Sequence, residues 1–166
     1  MIWYVLLIAA VAVERVAELV VSQRNLAWSR ARGGVEFGAR HYPAMVALHT
    51  GLLAGCLVEA LYRPFVPALG WPMLVVVLAA QGLRWWCIAT LGHQWNTRVV
   101  VIPDAARVTG GPYRFFSHPN YVAVVVEGIA LPLVHTAWVT AVVFTVANAL
   151  VLRVRLHVEN SALGYA

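Results

Sequence analysis

Five apolar stretches, at 2–21, 43–61, 71–91, 120–134 and 137–157, occupy most of the 166 residues and leave the polar side chains largely to the short connections between them. A water-soluble fold cannot hide so much apolar chain. A helix of about 20 residues, by contrast, spans the roughly 30 Å hydrocarbon layer of a bilayer with its backbone groups paired internally. Composition agrees: 61% of residues are hydrophobic and 11% are charged, and the mean hydropathy is +0.75, outside the range of an ordinary soluble domain. The expectation is an all-α fold, a polytopic membrane helical bundle of about five transmembrane helices, forming a single domain over 1–166. The first stretch contains Ala10-Val11-Ala12, which mimics a signal-peptidase site, but it lacks a basic leader and its apolar pattern continues to Val21. It reads as the first span.

A net charge of +5 and an isoelectric point near 9.8 would suggest nucleic acid in a soluble protein; in a membrane protein the arginines are topology signals first. The connection 22–42 carries Arg24, Arg30, Arg32 and Arg40, and 92–119 carries Arg98, Arg107 and Arg114. The second connection holds only Arg63 and the turn at 132–136 holds none. The positive-inside rule then puts the N-terminus outside and the C-terminus in the cytoplasm, with every polar cluster on one face of a cell-membrane protein and no nucleic acid as partner. The fourth stretch is short for a crossing and is expected to tilt, end near Pro132 or lie inside the bundle. Cys56 and Cys87 sit in apolar interiors without metal or disulfide spacing and read as small buried hydrophobes.

Charges within the apolar stretches are expensive and mark pairs, cavities or sites. Glu14 and Glu18 share one helix face beside Arg15, equally suited to structural pairing and to lining a site. Glu59 and Arg63 are an i, i+4 pair at a helix end, read as an interfacial ion pair. Arg84 fits a core pairing or a snorkelling anchor. Glu127 lies about two turns into the fourth helix, where its depth favours a role in a site.

The densest chemistry is the polar segment Gly110-Gly111-Pro112-Tyr113-Arg114-Phe115-Phe116-Ser117-His118-Pro119-Asn120-Tyr121. Its glycines permit close backbone approach, and Pro119 is a favoured helix start that leaves free amides facing the loop. Such a helix start attracts anions. On the last helix Arg155 and Glu159 share a face, with Arg153 and His157 on neighbouring stripes and Asn160 following. Opposite the loop these residues suit an active-site wall, the arginine orienting an anionic group. His41, His49, His93 and His135 form no ligand spacing, so no metal is expected.

From 91 to 163 the chain resembles the isoprenylcysteine carboxyl methyltransferase superfamily through Gly111-Pro112-Tyr113-Arg114, His118-Pro119-Asn120-Tyr121, Glu127, and Arg155 through Glu159 with Ala162-Leu163. The N-terminal half, with Arg24-Asn25, Trp28, Arg32-Gly33-Gly34-Val35-Glu36, Gly38 and His41-Tyr42-Pro43, is similar to the bacterial branch that methylates alkylpyrones and alkylresorcinols. The resemblance implies S-adenosylmethionine entering from the cytosol and a lipophilic substrate entering from the membrane lipids. It further implies cofactor contacts at Tyr113, His118, Pro119, Tyr121 and Glu127 and catalytic roles for Arg155 and Glu159; the positions of Glu18, Arg153, His157 and Asn160 at the same end of the bundle make them the candidate substrate contacts. Ser117 stands where the family often has arginine and Asn160 where it has a second glutamate; the chain's end at Ala166 leaves little segment for a lid.

Methyl transfer requires donor and acceptor held in line and water excluded. A carboxylate acceptor needs no base; a phenol or enol does, and Arg155, Glu159, His157 and Glu18 are the candidates. A polyketide-derived hydroxyl is the first expectation for the acceptor, followed by a prenylcysteine-like or other lipid carboxylate and then a phospholipid amine. The rival of another class is a non-catalytic scaffold or lipid-headgroup binder whose arginine loops read anionic lipid.

Overall fold

The computed structural model describes residues 1–162 and Gly164, so Leu163 of the Ala162-Leu163 motif and the end at Ala166 lie outside the described residues. The chain forms α1 (Ile2–Arg30), β1 (Val35–Phe37), α2 (Tyr42–Ala60), α3 (Pro67–Leu91), β2 (Val99–Val101), α4 (Pro119–Leu133) and α5 (Trp138–Ala162). All five expected helices are present. Three helical segments, Ala39–Ala60, Pro67–Gln94 and Trp138–Ala162, are long and apolar enough to cross a membrane. The expected five spans are therefore not matched one for one. The first helix interrupts its apolar run with Glu14, Arg15 and Glu18, and α4 has only 15 residues.

The first helix also outruns its expected end at Val21 and continues to Arg30. Glu18, Ser22, Asn25 and Ser29 recur at helical spacing and are all buried, a polar stripe in which Ser22 and Asn25 pair with the chain after α3. Ser22 Oγ donates to Asn96 Oδ1 at 2.8 Å, and Asn25 Nδ2 donates to the Gly92 and Trp95 carbonyls at 3.1 and 2.7 Å. Beyond the expected all-helical pattern, β1 and β2 form a two-stranded antiparallel pair with Glu36 opposite Val100. Glu36 ties it down, accepting from Arg98 at 2.6 Å and from Arg30 at 3.2 Å.

At the opposite end, Tyr4 donates to the Leu131 carbonyl at 3.0 Å among the rings of Trp3, Phe65, Trp71 and His135. Glu59 forms the expected ion pair with Arg63 at 3.4 Å and also accepts from the Val139 and Thr140 amides, capping the start of α5. Cys56 and Cys87 are buried and free.

The charges inside the bundle are paired. Arg84 Nε and Nη2 both donate to Glu18, the latter at 2.6 Å. Arg15 reaches Glu18 through Nη1 and Glu127 through Nη2, each at 2.7 Å. Gln81 links Glu14 to the same network at 2.5 Å. Arg84 is thus a core pair partner, and the cluster joins α1, α3 and α4. Close contact of α4 with α5 depends on Gly128, where an added Cβ would lie 2.1 Å from the Phe144 ring. Gly128→Ala is expected to destabilise the protein by about 1–3 kcal/mol, read as a lower melting temperature in detergent; an unchanged melting temperature would show that the two helices separate freely.

Candidate active site

The sequence places Pro119 at the first turn of α4 and His118 at its N-cap, so the polar loop delivers His118, Asn120 and Tyr121 directly to the helix start. Gly111 turns the chain there with φ +55°, and a Cβ at that position would lie 2.5 Å from Thr90 Oγ1, a conformation and a fit that favour glycine. Pro119 has no N–H, and the Tyr121 amide turns back on the His118 carbonyl at 3.1 Å. Phe115 and Phe116 point outward, 69% and 52% exposed, as expected of membrane-interface anchors.

The loop and the end of α5 meet in a continuous polar chain. Arg155 Nε donates to Tyr121 Oη at 2.7 Å, and Tyr121 Oη donates to Glu159 Oε2. His118 Nδ1 lies 3.6 Å from Glu159 Oε1, and its Nε2 faces Asn160 Oδ1 at 3.1 Å. The imidazole stacks on the Tyr121 ring with centroids 5.5 Å apart. Five of the expected site residues, His118, Tyr121, Arg155, Glu159 and Asn160, thus form one relay across two helices. Arg155 is buried, with Nη1 resting on Met45 Sδ.

Two cavities meet at this relay. The first, of about 440 Å³, is walled by the β2 segment and the 105–108 stretch, and reaches Tyr113, Ser117, His118, Tyr121, Arg155 and Glu159. The second, of about 340 Å³, is lined mainly by aliphatic side chains of α1, α2, α4 and α5, with Arg15, Glu18, Arg84 and Glu127 also in its lining. Trp95, Asn120, Tyr121 and Arg155 line both.

The remaining expected residues are distributed by this geometry. Tyr113 lines the polar cavity, and burial, then the Cys87 thiol beside it, pushes its hydroxyl pKa upward, keeping it protonated. Pro119 is buried behind the wall as the helix start. Glu127, expected with the cofactor, lies instead on the apolar cavity, bound to Arg15, because it stands six residues deeper along α4 than Tyr121. Glu18 lines the same cavity with its carboxylate fully engaged. Arg153 and His157 are exposed and line neither cavity; both fall on stripes of α5 turned away from Arg155.

Sequence reasoning missed Trp95, which is 2% exposed with its Nε1 lacking a partner among the described residues. It also gave no role to Asn120, Asn148 or Met45. The polar run Gly92-His93-Gln94-Trp95-Asn96-Thr97 after an apolar helix was the available signal for Trp95. A lone asparagine or methionine within an apolar stretch gave none.

Both ring nitrogens of His118 face acceptors, so the imidazolium is favoured. The Glu159 carboxylate first, opposed by burial and helped by Asn160, raises its pKa above the usual 6.5. The stabilising contact is therefore complete below pH 6.5 and is lost as pH rises through the higher folded-state value. The melting temperature of the wild type is expected to fall more steeply above pH 6.5 than that of His118→Gln; parallel profiles would remove the imidazolium from the relay.

The family model described as "Isoprenylcysteine carboxyl methyltransferase (ICMT) family" matches residues 73–165. The chain is 37% identical over 164 residues to YpbQ of Bacillus subtilis (strain 168), described as an uncharacterized protein, covering 98% of this chain and 96% of that one. An uncharacterized protein of Haemophilus influenzae (strain ATCC 51907 / DSM 11121 / KW20 / Rd) is 24% identical over 162 residues, covering 95% of this chain and 92% of its own.

Proposed function

The chain belongs to the isoprenylcysteine carboxyl methyltransferase family of membrane methyltransferases that use S-adenosylmethionine, and on that premise we propose that it is an O-methyltransferase acting on a lipophilic acceptor. The observation that carries this reading is the pair of cavities, one polar and one apolar, that share Trp95, Asn120, Tyr121 and Arg155 as a common wall. Two ligands of opposite solubility then meet only across that wall. A scaffold or headgroup binder has no need of it.

The polar cavity suits S-adenosylmethionine in size and chemistry. Its volume of about 440 Å³ falls within the roughly 300–1,000 Å³ of small-molecule sites. Glu159 offers a carboxylate to a cationic ligand, Arg155 a guanidinium to a carboxylate, and Trp95 Nε1 a buried donor without a partner among the described residues. Tyr113, His118 and Ser117 complete the wall on the loop side. When bound, S-adenosylmethionine supplies an electrophilic methyl group on a sulfonium.

The protein's own residues then position, dry and deprotonate. Asn120 and Tyr121 hold the acceptor oxygen at the shared wall, and the aliphatic lining of the second cavity excludes water from it. A hydroxyl acceptor must shed its proton. Among the four candidate bases Arg155 stays protonated, Glu18 is saturated by two arginines and His157 is exposed. Glu159 remains, reached through Tyr121 Oη, with His118 and Arg155 compensating its charge.

The acceptor is a ring hydroxyl of a polyketide-derived alkylpyrone or alkylresorcinol, supported by the likeness of 24–43 to that branch and by the aliphatic cavity beside the relay. The polar cavity opens to the cytoplasm, following the arginine-rich connections at that end. Titration calorimetry of the detergent-purified protein is expected to show saturable S-adenosylmethionine binding that weakens in His118→Ala. Labelled methyl transfer to a 5-alkylresorcinol is expected to fall at least about 100-fold in Arg155→Ala and Glu159→Gln. Absence of cofactor binding, or unchanged turnover in both variants, would overturn the reading.

A further inference from the structure

The apolar cavity has polar groups at two places in its lining. One is the shared wall with Tyr121 and Arg155; the other is the charged network, where Arg84 lines the cavity at 7% exposure. Two of its three guanidinium nitrogens, Nε and Nη2, are bound to Glu18, while Nη1 has no hydrogen-bond partner among the described residues. A buried donor left unmade costs on the order of 1–3 kcal/mol, more when charged. Its one partner, Glu18, already accepts from Arg15 through both carboxylate oxygens as well as from Arg84 Nε and Nη2.

The geometry points to Arg84 as a residue that selects the acceptor, its Nη1 donating to a second oxygen on the same head group whose first oxygen takes the methyl at the shared wall. This deepens the reading of the apolar cavity as the acceptor site and rests on it. Arg84 is joined to Glu127 through Glu18 and Arg15, both residues line the apolar cavity, and Glu127 lies six residues from Tyr121 on α4. At 1.5 Å per residue that interval is about 9 Å. A six-membered ring bearing oxygens on non-adjacent carbons bridges it once a hydrogen bond of about 2.9 Å is added at each end. The tail of such a molecule lies along the aliphatic lining contributed by Val16, Val46 and Leu53. A single-hydroxyl ring, or a carboxylate at the end of a plain chain, leaves Nη1 unmet.

The test is equilibrium binding of two probes, 5-pentadecylresorcinol and 3-pentadecylphenol, to the purified full chain in detergent, with S-adenosylmethionine binding measured alongside. The wild type is expected to bind the resorcinol roughly 10–100-fold more tightly, the range of one hydrogen bond to a charged group. Arg84→Lys, which keeps a charge for Glu18 but has no second terminal nitrogen, is expected to bring the two affinities within about 3-fold of each other. The paired replacement Arg84→Gln with Glu18→Gln serves the same purpose should the lysine variant fail to fold. Equal binding of the probes by wild type, no binding of either, or an unchanged preference in the variants would overturn the assignment. Loss of S-adenosylmethionine binding in wild type would instead strike at the methyltransferase reading, and the probe preference reads independently of it.

Discussion

The rest of the structure depends on how α1 carries charge into an apolar bundle. Glu14, Arg15 and Glu18 are tolerated because Arg84 of α3 and Glu127 of α4 answer them, and removing one member of such a buried pair costs about 3–5 kcal/mol. That constraint fixes the register of three helices at one depth. Beside the network lie the hydrophobic core with Tyr4, Leu131 and Val134 and the apolar cavity, whose lining Arg15, Glu18, Arg84 and Glu127 share.

A second polar system, from Arg155 through Tyr121 and Glu159 to His118, meets that cavity elsewhere in its lining. It works differently. The inner network pairs its charges within the bundle, whereas the relay is open to the polar cavity through Glu159 and His118 and to the apolar one through Tyr121 and Arg155. Tyr121 is the residue that makes the relay continuous, accepting from the arginine and donating to the glutamate. The β2 segment and the 105–108 stretch wall the polar side, and Glu36 of β1, between Arg30 and Arg98, holds the strand pair.

Much of this was legible in the sequence. The helix-start proline, the His118 to Tyr121 motif and the spacing of Arg155 and Glu159 put these residues at one end of the bundle, since each is set by local helix geometry; the bonding of Tyr121 to Arg155 and Glu159 was not legible, because it depends on how α4 packs on α5. The length of α1 was not legible from hydropathy alone: a polar stripe of Ser22, Asn25 and Ser29 looks like a connection until its buried partners in 92–97 are known. The strand pair was hidden for a similar reason, because three-residue strands carry too little pattern to register. Arg153 and His157 show the limit of proximity along a helix, since neighbours on α5 diverge onto outward faces. Glu127 shows that depth in a membrane helix marks a polar interaction without saying which cavity it serves.

The central claim is that two sites adjoin at Trp95, Asn120, Tyr121 and Arg155 and are filled together. Its most direct test is calorimetric titration of S-adenosylhomocysteine into the protein with and without saturating 5-pentadecylresorcinol. A ternary complex, with the nucleoside affinity changed by no more than a few-fold, is the result predicted here; mutual exclusion of the two ligands would contradict it.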